Sequence, residues 1–466
     1  MEENEELKNQ EVPAEAEEQQ VGLRDEFIRE ISELLDQNYI DRVQELCRDL
    51  PAADAGELIV KLDSEHRHKL VEMLEPDLHP ETFSYLDREI LNDLLEHMSS
   101  RHIASIVNEL DSDDALHLIE HLDEDRRGDI MRHLNRNLRV VVEEGLTYPE
   151  NSAGRMMQRE FVAIPQFWTV GKTVDYLRAA ASTLPERFYN IFIVDPMHRF
   201  VGAVTLSHVL CAQRSVKIDT LVGEEHVTVP VTMDREQVAL LFSRKDLLSA
   251  PVVDENEQLI GVITVDDIVD VIHEEAEKDF LNISGVGGSD IHSPVLATAS
   301  ARFFWLAINL LTAIAASLVI SIFQGTIAKI AVLAVLMPIV ASMGGNAGTQ
   351  TLAVAVRALA TKDLSSANSL RVIRKEIIVG LINGTLFAVI MGAVVFLWFH
   401  NLRLGMIIGA AMIMNLIAAG FSGAIIPIIM GRMGHDPAQS AVVFLTTVTD
   451  IVGFFVFLGL ASWLMV

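Results

Sequence analysis

Leu445-Thr446-Thr447-Val448-Thr449-Asp450-Ile451-Val452-Gly453 is the stretch on which the reading of this chain turns. It lies in the middle of an apolar run near 439 to 465, long enough to cross a hydrocarbon core that needs ~20 helical residues. A carboxylate at that depth costs ~2.5 to 3.5 kcal/mol on insertion scales, so a lipid-facing Asp450 is ruled out. Thr446, Thr447 and Gly453 share its helical face by i−4, i−3 and i+3 spacing, a small polar stripe suited to a watery path. The competing structural reading is a protonated Asp450 hydrogen-bonded inside a bundle. No Lys or Arg within the spans is well placed to pair with it.

Working back from this run, four more apolar stretches appear near 301 to 323, 328 to 359, 374 to 400 and 404 to 430, so a five-helix transmembrane domain over 295 to 466 is predicted. Pro338 and Met343-Gly344-Gly345-Asn346-Ala347-Gly348-Thr349-Gln350 interrupt the second. Glycines beside side-chain amides permit either unwinding along a water-filled cavity or close helix approach. Gly345, Asn346, Gln350, Asn415, Thr446 and Thr447 are read as pore-lining, and Asp436 is placed near the cytosolic mouth. The loop after the second span carries Arg357, Lys362, Arg371, Arg374 and Lys375, which places it in the cytosol. A multi-pass protein of the cell (inner) membrane follows, with its first 300 residues cytosolic and its C-terminus outside.

Charge divides the chain in the same place. From residue 301 onward there are nine basic and four acidic residues; taking these from the chain's 36 and 65 leaves 27 and 61, a net of −34, for residues 1 to 300. A region so acidic repels nucleic acid and attracts cations. Cys47 and Cys211 are far apart and lack a zinc-like spacing, which suits a reducing cytosol. No cleaved secretory signal is expected, and residues 1 to 22 read as a disordered acidic tail.

Residues 23 to 147 show helical periodicity with three similar pieces, LDSEHRHKLVEML from Leu62, LDREILNDLLEHM from Leu86 and LDEDRRGDIMRHL from Leu122. An Asp precedes each short amphipathic run as an N-cap would, and such helices bury their stripes by stacking into an all-α superhelix. Most of the acids there read as solvated. Further on, Val194-Asp195-Pro196 with Phe200 to Thr205 recurs as Val253-Asp254-Glu255 with Leu259 to Thr264, a constant offset of 59 residues. Each copy reads as strand (Phe161 to Ile164; His226 to Val229), helix, two strands and closing helix. This α/β pair resembles tandem CBS domains, at 148 to 215 and 216 to 272. Gly261, Thr264 and Asp267 match that family's G-x-x-[ST]-x-x-D pattern, which makes ATP a candidate ligand of the second copy; His208 stands in the Asp position of the first. The structural alternative is that these residues cap the closing helix.

The closing helix runs into an acidic connecting segment, 266 to 292. At about 100° per residue, Asp266, Asp270, Glu274 and Glu277 fall within roughly 80° of one another. Such a stripe needs water or a counter-cation, and its place just before the membrane spans favours the cation.

Taken together, these features resemble the MgtE family of magnesium channels along essentially all of the chain after residue 22. The resemblance rests on the helical N domain, the CBS pair, the acidic helix, the Gly-Gly-Asn-Ala-Gly-Thr-Gln segment, and Asp436-Pro437-Ala438 followed by Thr449-Asp450. It implies a homodimer in the lipid bilayer, with Asp450 as the pore carboxylate that recognises hydrated Mg2+ and the connecting helix as a plug. Ser440-Ala441-Val442-Val443 departs from the Ser-Gly-Pro common in the family. Thr446 stands where a smaller residue is common. Regulatory Mg2+ is expected to bridge carboxylates of the connecting helix, the CBS surface (Asp254, Glu255) and the N domain (Asp111, Asp113, Asp114), closing the pore when the ion is abundant. Transport rather than enzymatic activity is expected. Cobalt or manganese transport, or proton-coupled exchange through Asp450, are the alternatives.

Overall fold

The computed structural model describes residues 22–74, 78–185, 187–223, 226–283, 295–364, 368–433 and 437–465. The chain forms two compact units, Met1–Val269 and Asp270–Val466. Residues 1 to 21 of the expected acidic tail, the end of the connecting segment from 284, and Asp436 lie outside the described residues.

The first unit opens with nine short helices, α1 (Asp25–Asp36), α2 (Ile40–Cys47), α3 (Ala52–Lys61), α4 (Ser64–Leu74), α5 (Arg88–His97), α6 (Ser100–Val107), α7 (Ser112–Glu120), α8 (Glu124–His133) and α9 (Arg136–Gly145), with a 3-10 turn at Pro80–Tyr85. Their apolar stripes merge into one core that includes Leu58, Leu70, Leu91, Leu94, Ile103, Leu116, Ile119 and Ile130. No helix this short is stable alone, so its stability comes from that shared burial. Asp63 accepts the His66 amide at 3.0 Å, and Asp87 and Asp123 hold the equivalent extended N-cap position. A second repeat device lies at the other end of these helices. His97, His121 and His133 each turn Nδ1 onto the carbonyl four residues back, at 2.8, 2.6 and 2.8 Å, an added contact at the end of each helix.

After α10 (Ala153–Met156), the 59-residue repeat becomes two small sheets. In the first, β1 (Ala163–Pro165) pairs parallel and β3 (Phe200–Thr205) antiparallel to the central β2 (Asn190–Val194); β4 (Val229–Pro230), β5 (Ser249–Val253) and β6 (Leu259–Thr264) repeat the order. Both sheets carry a bulge at the matching place, Ile193/Val194 and Val252/Val253. α11 (Val170–Ala179), α12 (Leu206–Cys211), α13 (Arg235–Lys245) and α14 (Val265–Ile283) complete the two copies. The copies meet through equivalent residues. Asn190 donates to Ser249 at 2.8 Å, Arg199 bridges Gln258, and Phe200 N to Glu257 O is answered by Leu259 N to His198 O, both 3.0 Å. Contacts between residues n and n+59 are what a two-fold relation between the halves produces. The outer strands start later than the sequence pattern predicts, at Ala163 and Val229, and ahead of the first Phe161 packs edge-on against Phe192.

The second unit holds α15 (Val295–Ile322), the short α16 (Gln324–Lys329), α17 (Val332–Ala360), α18 (Ser369–Phe399), α19 (Leu402–Arg432) and α20 (Pro437–Met465). Five of these are long and apolar enough to cross a membrane. α19 is the hub and packs against α17, α18 and α20. On α18, Gly380 lies against the Leu416 carbonyl of α19, an approach that a Cβ would block.

Candidate functional site

The Gly-rich segment of α17 does not unwind. The helix is continuous from Val332 to Ala360, and its glycines serve close approach instead: a Cβ on Gly344 would fall on the Asn415 amide, and one on Gly348 would strike Leu445. Asn415, expected to line a pore, is fully buried. Its Nδ2 donates to the Val340 carbonyl at 2.8 Å, and Gly453 of α20 closes over its other side. The amide is therefore a polar pin joining α17, α19 and α20 rather than a wall of a conduit. One solution to the cost of a polar group at membrane depth is water; packing against a backbone carbonyl is the other, and Asn415 Nδ2 takes the second, while its Oδ1 is buried with no hydrogen-bond partner among the described residues.

Different surroundings hold Asp450. Its residue is half-exposed, and among the described residues no hydrogen bond or ion pair is made to its carboxylate. Thr446 donates to the Val442 and Val443 carbonyls, both at 3.1 Å, and Thr447 to Val443 at 2.6 Å. The hydroxyl protons are spent within the helix, so what these side chains offer outward is acceptor oxygen. On α17, Gly345 is half-exposed and Asn346 and Gln350 are exposed. Amides bare at membrane depth require water or a second protein surface over them. Glu376 of α18 is engaged: Thr351 donates to it at 3.2 Å.

In the first unit, residues far apart in sequence converge. Asp111 is the N-cap of α7, with Asp113 and Asp114 in its first turn; Asp266 and Asp267 occupy the first turn of α14. Burial, reinforced by Asp267 and Asp114, drives the Asp113 carboxyl well above the usual carboxylate range. Desolvation, then Glu160, Asp114, Glu81 and Asp266, raises Asp111. Asp114 is raised chiefly by desolvation, against a hydrogen bond to Ser84. Asp267 is pushed up to about 7 by burial, aided by Asp266 and Asp114 and opposed by Thr264. Like charges packed this closely, with no Lys or Arg among these causes, favour either protons or a bound cation.

The connecting strap builds the cluster. Gly154 N donates to Val231 O at 2.9 Å, Gln158 bridges Val262, and Arg159 reaches Ile260 O at 2.7 Å, while Arg155 pairs with Glu120 and Arg159 with Glu144. Glu160 accepts from the Ser112 hydroxyl at 2.7 Å. Glu81, Glu160 and Ser112 went unmarked in the sequence. The two glutamates signal only charge, which that region carries everywhere, and Ser112 signals nothing.

The residues matched to a nucleotide motif have structural jobs. Thr264 Oγ1 donates to Asp267 at 2.8 Å and its amide does so at 3.4 Å, the reciprocal contact of a helix-capping pair. A Cβ on Gly261 would strike Met157. Asp254 is occupied by its turn: desolvation is outweighed by hydrogen bonds from Gln258 and Asn256, which keep its carboxyl below the ordinary range. Asp195 accepts the matching turn hydrogen bonds one repeat earlier, so Asp254 has a structural role in its turn. Glu255 is exposed on that turn. Asp270, Glu274 and Glu277 follow Asp266 along α14, in the second unit.

Residues 337–460 match the family model described as divalent cation transporter, 50–151 that of the MgtE intracellular N domain, and 220–274 that of the CBS domain. A magnesium transporter MgtE of Enterococcus faecalis is 37% identical over 93% of this chain and 96% of its own. The chain belongs to the MgtE family. A second MgtE, from Thermus thermophilus, is 32% identical over 70% of this chain and 73% of its own. The solved cytosolic domain described as that of the Mg2+ channel MgtE in complex with ATP is 28% identical and covers 52% of this chain and 99% of its own, at a TM-score of 0.48, too low to carry an argument. The first CBS copy has the same strand order and bulge as the second, which the family model covers.

Proposed function

We propose that this MgtE protein is a magnesium channel of the cell membrane that acts as a homodimer, with Asp450 at the ion path and a cytosolic gate closed by Mg2+ itself. The observation that carries the reading is the half-exposed Asp450 carboxylate beside threonines whose protons are already used. Magnesium sheds water reluctantly, so the ion that reaches mid-membrane presents water hydrogens outward. A wall of acceptors with one carboxylate per chain is the complement of that shell. Two copies facing one another would also cover Asn346 and Gln350. Asp436 at the mouth and the α14 stripe of Asp266, Asp270, Glu274 and Glu277 complete the ion's route and its control. The names of the relatives favour magnesium over cobalt or manganese.

For the gate, the carboxylates of α7 and the start of α14 form a site whose charge a divalent ion relieves. Ions there hold N domain and CBS pair together; without them repulsion separates the two and permits opening. The basic loop after α17 faces the cytosol on this reading, with the C-terminus outside. The test is flux into proteoliposomes with Mg2+ set independently on each side. Uptake that falls as the ion rises on the N-domain side supports the gate; uptake indifferent to it removes the gate, and uptake that dissipates a proton gradient makes the protein a carrier.

Proton linkage gives a second check. A carboxylate raised from 3.8 to about 7 contributes stability fully present below 3.8 and lost as pH rises through about 7. Without divalent ions, the melting temperature of the soluble unit should therefore fall between pH 6 and pH 8. Added Mg2+ should restore it, most at pH 8, where the carboxylates are bare. A melt at pH 8 unmoved by millimolar Mg2+ would remove the cluster as a site.

ATP is assessed by titrating wild type and Asp267→Asn in parallel. With Asp267 tied to Thr264 the two isotherms should coincide; loss of binding in the variant would make it a nucleotide ligand instead.

A further inference from the structure

We propose that the N domain carries a site for a zinc-class divalent ion, built from His68 on α4 and Asp93 and His97 on α5, separate from the carboxylates that serve magnesium. One ligand atom from each of the three lies within 4.8 Å of the other two. His68 Nε2 stands 3.1 Å from Asp93 Oδ2, and the two imidazoles are 4.3 Å apart between centroids. Tetrahedral bonds of about 2.0–2.1 Å set ligand atoms about 3.3 Å apart, so the group needs only a small contraction around an ion.

The chemistry of the donors is already arranged. His97 Nδ1 faces the Asp93 carbonyl at 2.8 Å; a carbonyl only accepts, so Nδ1 holds the proton and Nε2 presents its lone pair. A hydrogen bond on the far ring nitrogen is how metal-bound histidines are fixed. His68 Nε2, 3.1 Å from Asp93 Oδ2, is freed for the ion by the shift of its ring proton to Nδ1. The Asp93 carboxylate is steadied by the Ser64 hydroxyl at 3.2 Å and by Arg67 at 3.7 Å. Arg67 is itself held by the Ile59 and Leu62 carbonyls, both at 3.0 Å, and its charge lowers affinity without blocking the site. His68 and Asp93 side chains keep 28% and 35% of their surface, which leaves solvent for a fourth position.

The ion class follows from the nitrogens. Two imidazoles and one carboxylate suit zinc, nickel or cobalt, whereas magnesium wants oxygen in near-octahedral array. The carbonyl contact of His97 recurs at His121 and His133, so by itself it is a helix-end device. At His97, however, a histidine from α4 and a carboxylate one turn back on α5 gather beside the ring. Another triad, His117, Glu120 and His121, has its carboxylate in an ion pair with Arg155 at 3.0 Å.

The test is a Co2+ titration of the full-length protein in detergent, with Mg2+ in large excess to fill the oxygen sites. Tetrahedral ligand-field bands should grow to saturation and be erased by Zn2+. The variant His68→Gln/His97→Gln should lose one equivalent per chain, or bind it at least tenfold more weakly. Unchanged stoichiometry and affinity in that variant would overturn the site. Should the variant fail to fold, carbethoxylation of wild type read by mass spectrometry decides: His68 and His97 are expected to be protected by Zn2+ and not by Mg2+, and equal labelling with either ion overturns the proposal.

Discussion

Asp450→Ala is expected to lower magnesium flux by about 10- to 100-fold while the protein inserts as well as wild type or better. The estimate follows from removing charge-assisted hydrogen bonds to the ion's water, about 1.5–3 kcal/mol, at a tenfold change per 1.4 kcal/mol. Insertion should not suffer, because the substitution deletes a group that costs ~2.5 to 3.5 kcal/mol at mid-membrane. Asp450→Asn separates charge from hydrogen bonding. It keeps an acceptor oxygen, so residual flux above that of the alanine variant would assign part of the effect to geometry. A contrast with Asn415 sharpens the reading. Asn415→Ala should damage the fold instead, since it empties the space between Gly344 and Gly453 and removes the contact that ties α19 to the Val340 carbonyl of α17. Flux that survives Asp450→Ala at the wild-type level in proteoliposomes removes this carboxylate from the mechanism.

Neutralising the carboxylates of α7 and the start of α14 should act on the proposed gate and leave the path open. With Asp113→Asn and Asp267→Asn combined, the internal Mg2+ concentration that halves flux is expected to rise by about 5- to 150-fold, the range that 1–3 kcal/mol of coupling between sites produces. Flux at low internal Mg2+ should stay at the wild-type level. The same variant should no longer gain melting temperature from Mg2+ at pH 8, because two of the carboxylates that repel one another have become amides. Inhibition at an unchanged Mg2+ concentration would place the sensor elsewhere, with the lower part of the α14 stripe, Asp270, Glu274 and Glu277, the next positions to vary.

How far the chain could be read from its residues depends on how local each property is. Length of an apolar run is local, and so is the depth of Asp450 within one; hence five membrane helices and a singular carboxylate are visible without coordinates. The 59-residue repeat is visible for the same reason, since each copy writes its own strands and turn. Local arguments fail where two physical solutions share one sequence pattern. The glycines around Asn346 permit either a broken helix or a tight crossing, and the neighbours Asn415 and Leu445 decide for the crossing. Whether a polar side chain at membrane depth stays partly exposed, as Asp450 does, or is buried against a carbonyl of another helix, as Asn415 is, depends on which helices meet it. The acidic cluster of the first unit is the plainest instance. Acidic character of α7 and of α14 is written in each helix, yet their first turns lie some 150 residues apart in sequence. Only the strap from Arg155 to Glu160 brings them within reach of one another. The sequence by itself thus determined the elements, which of them are long and apolar enough to cross a membrane, and the one carboxylate that lipid would reject. Tertiary structure alone decided which charges share a site, because Coulomb energy depends on distance in space and the residues that set it are distant along the chain.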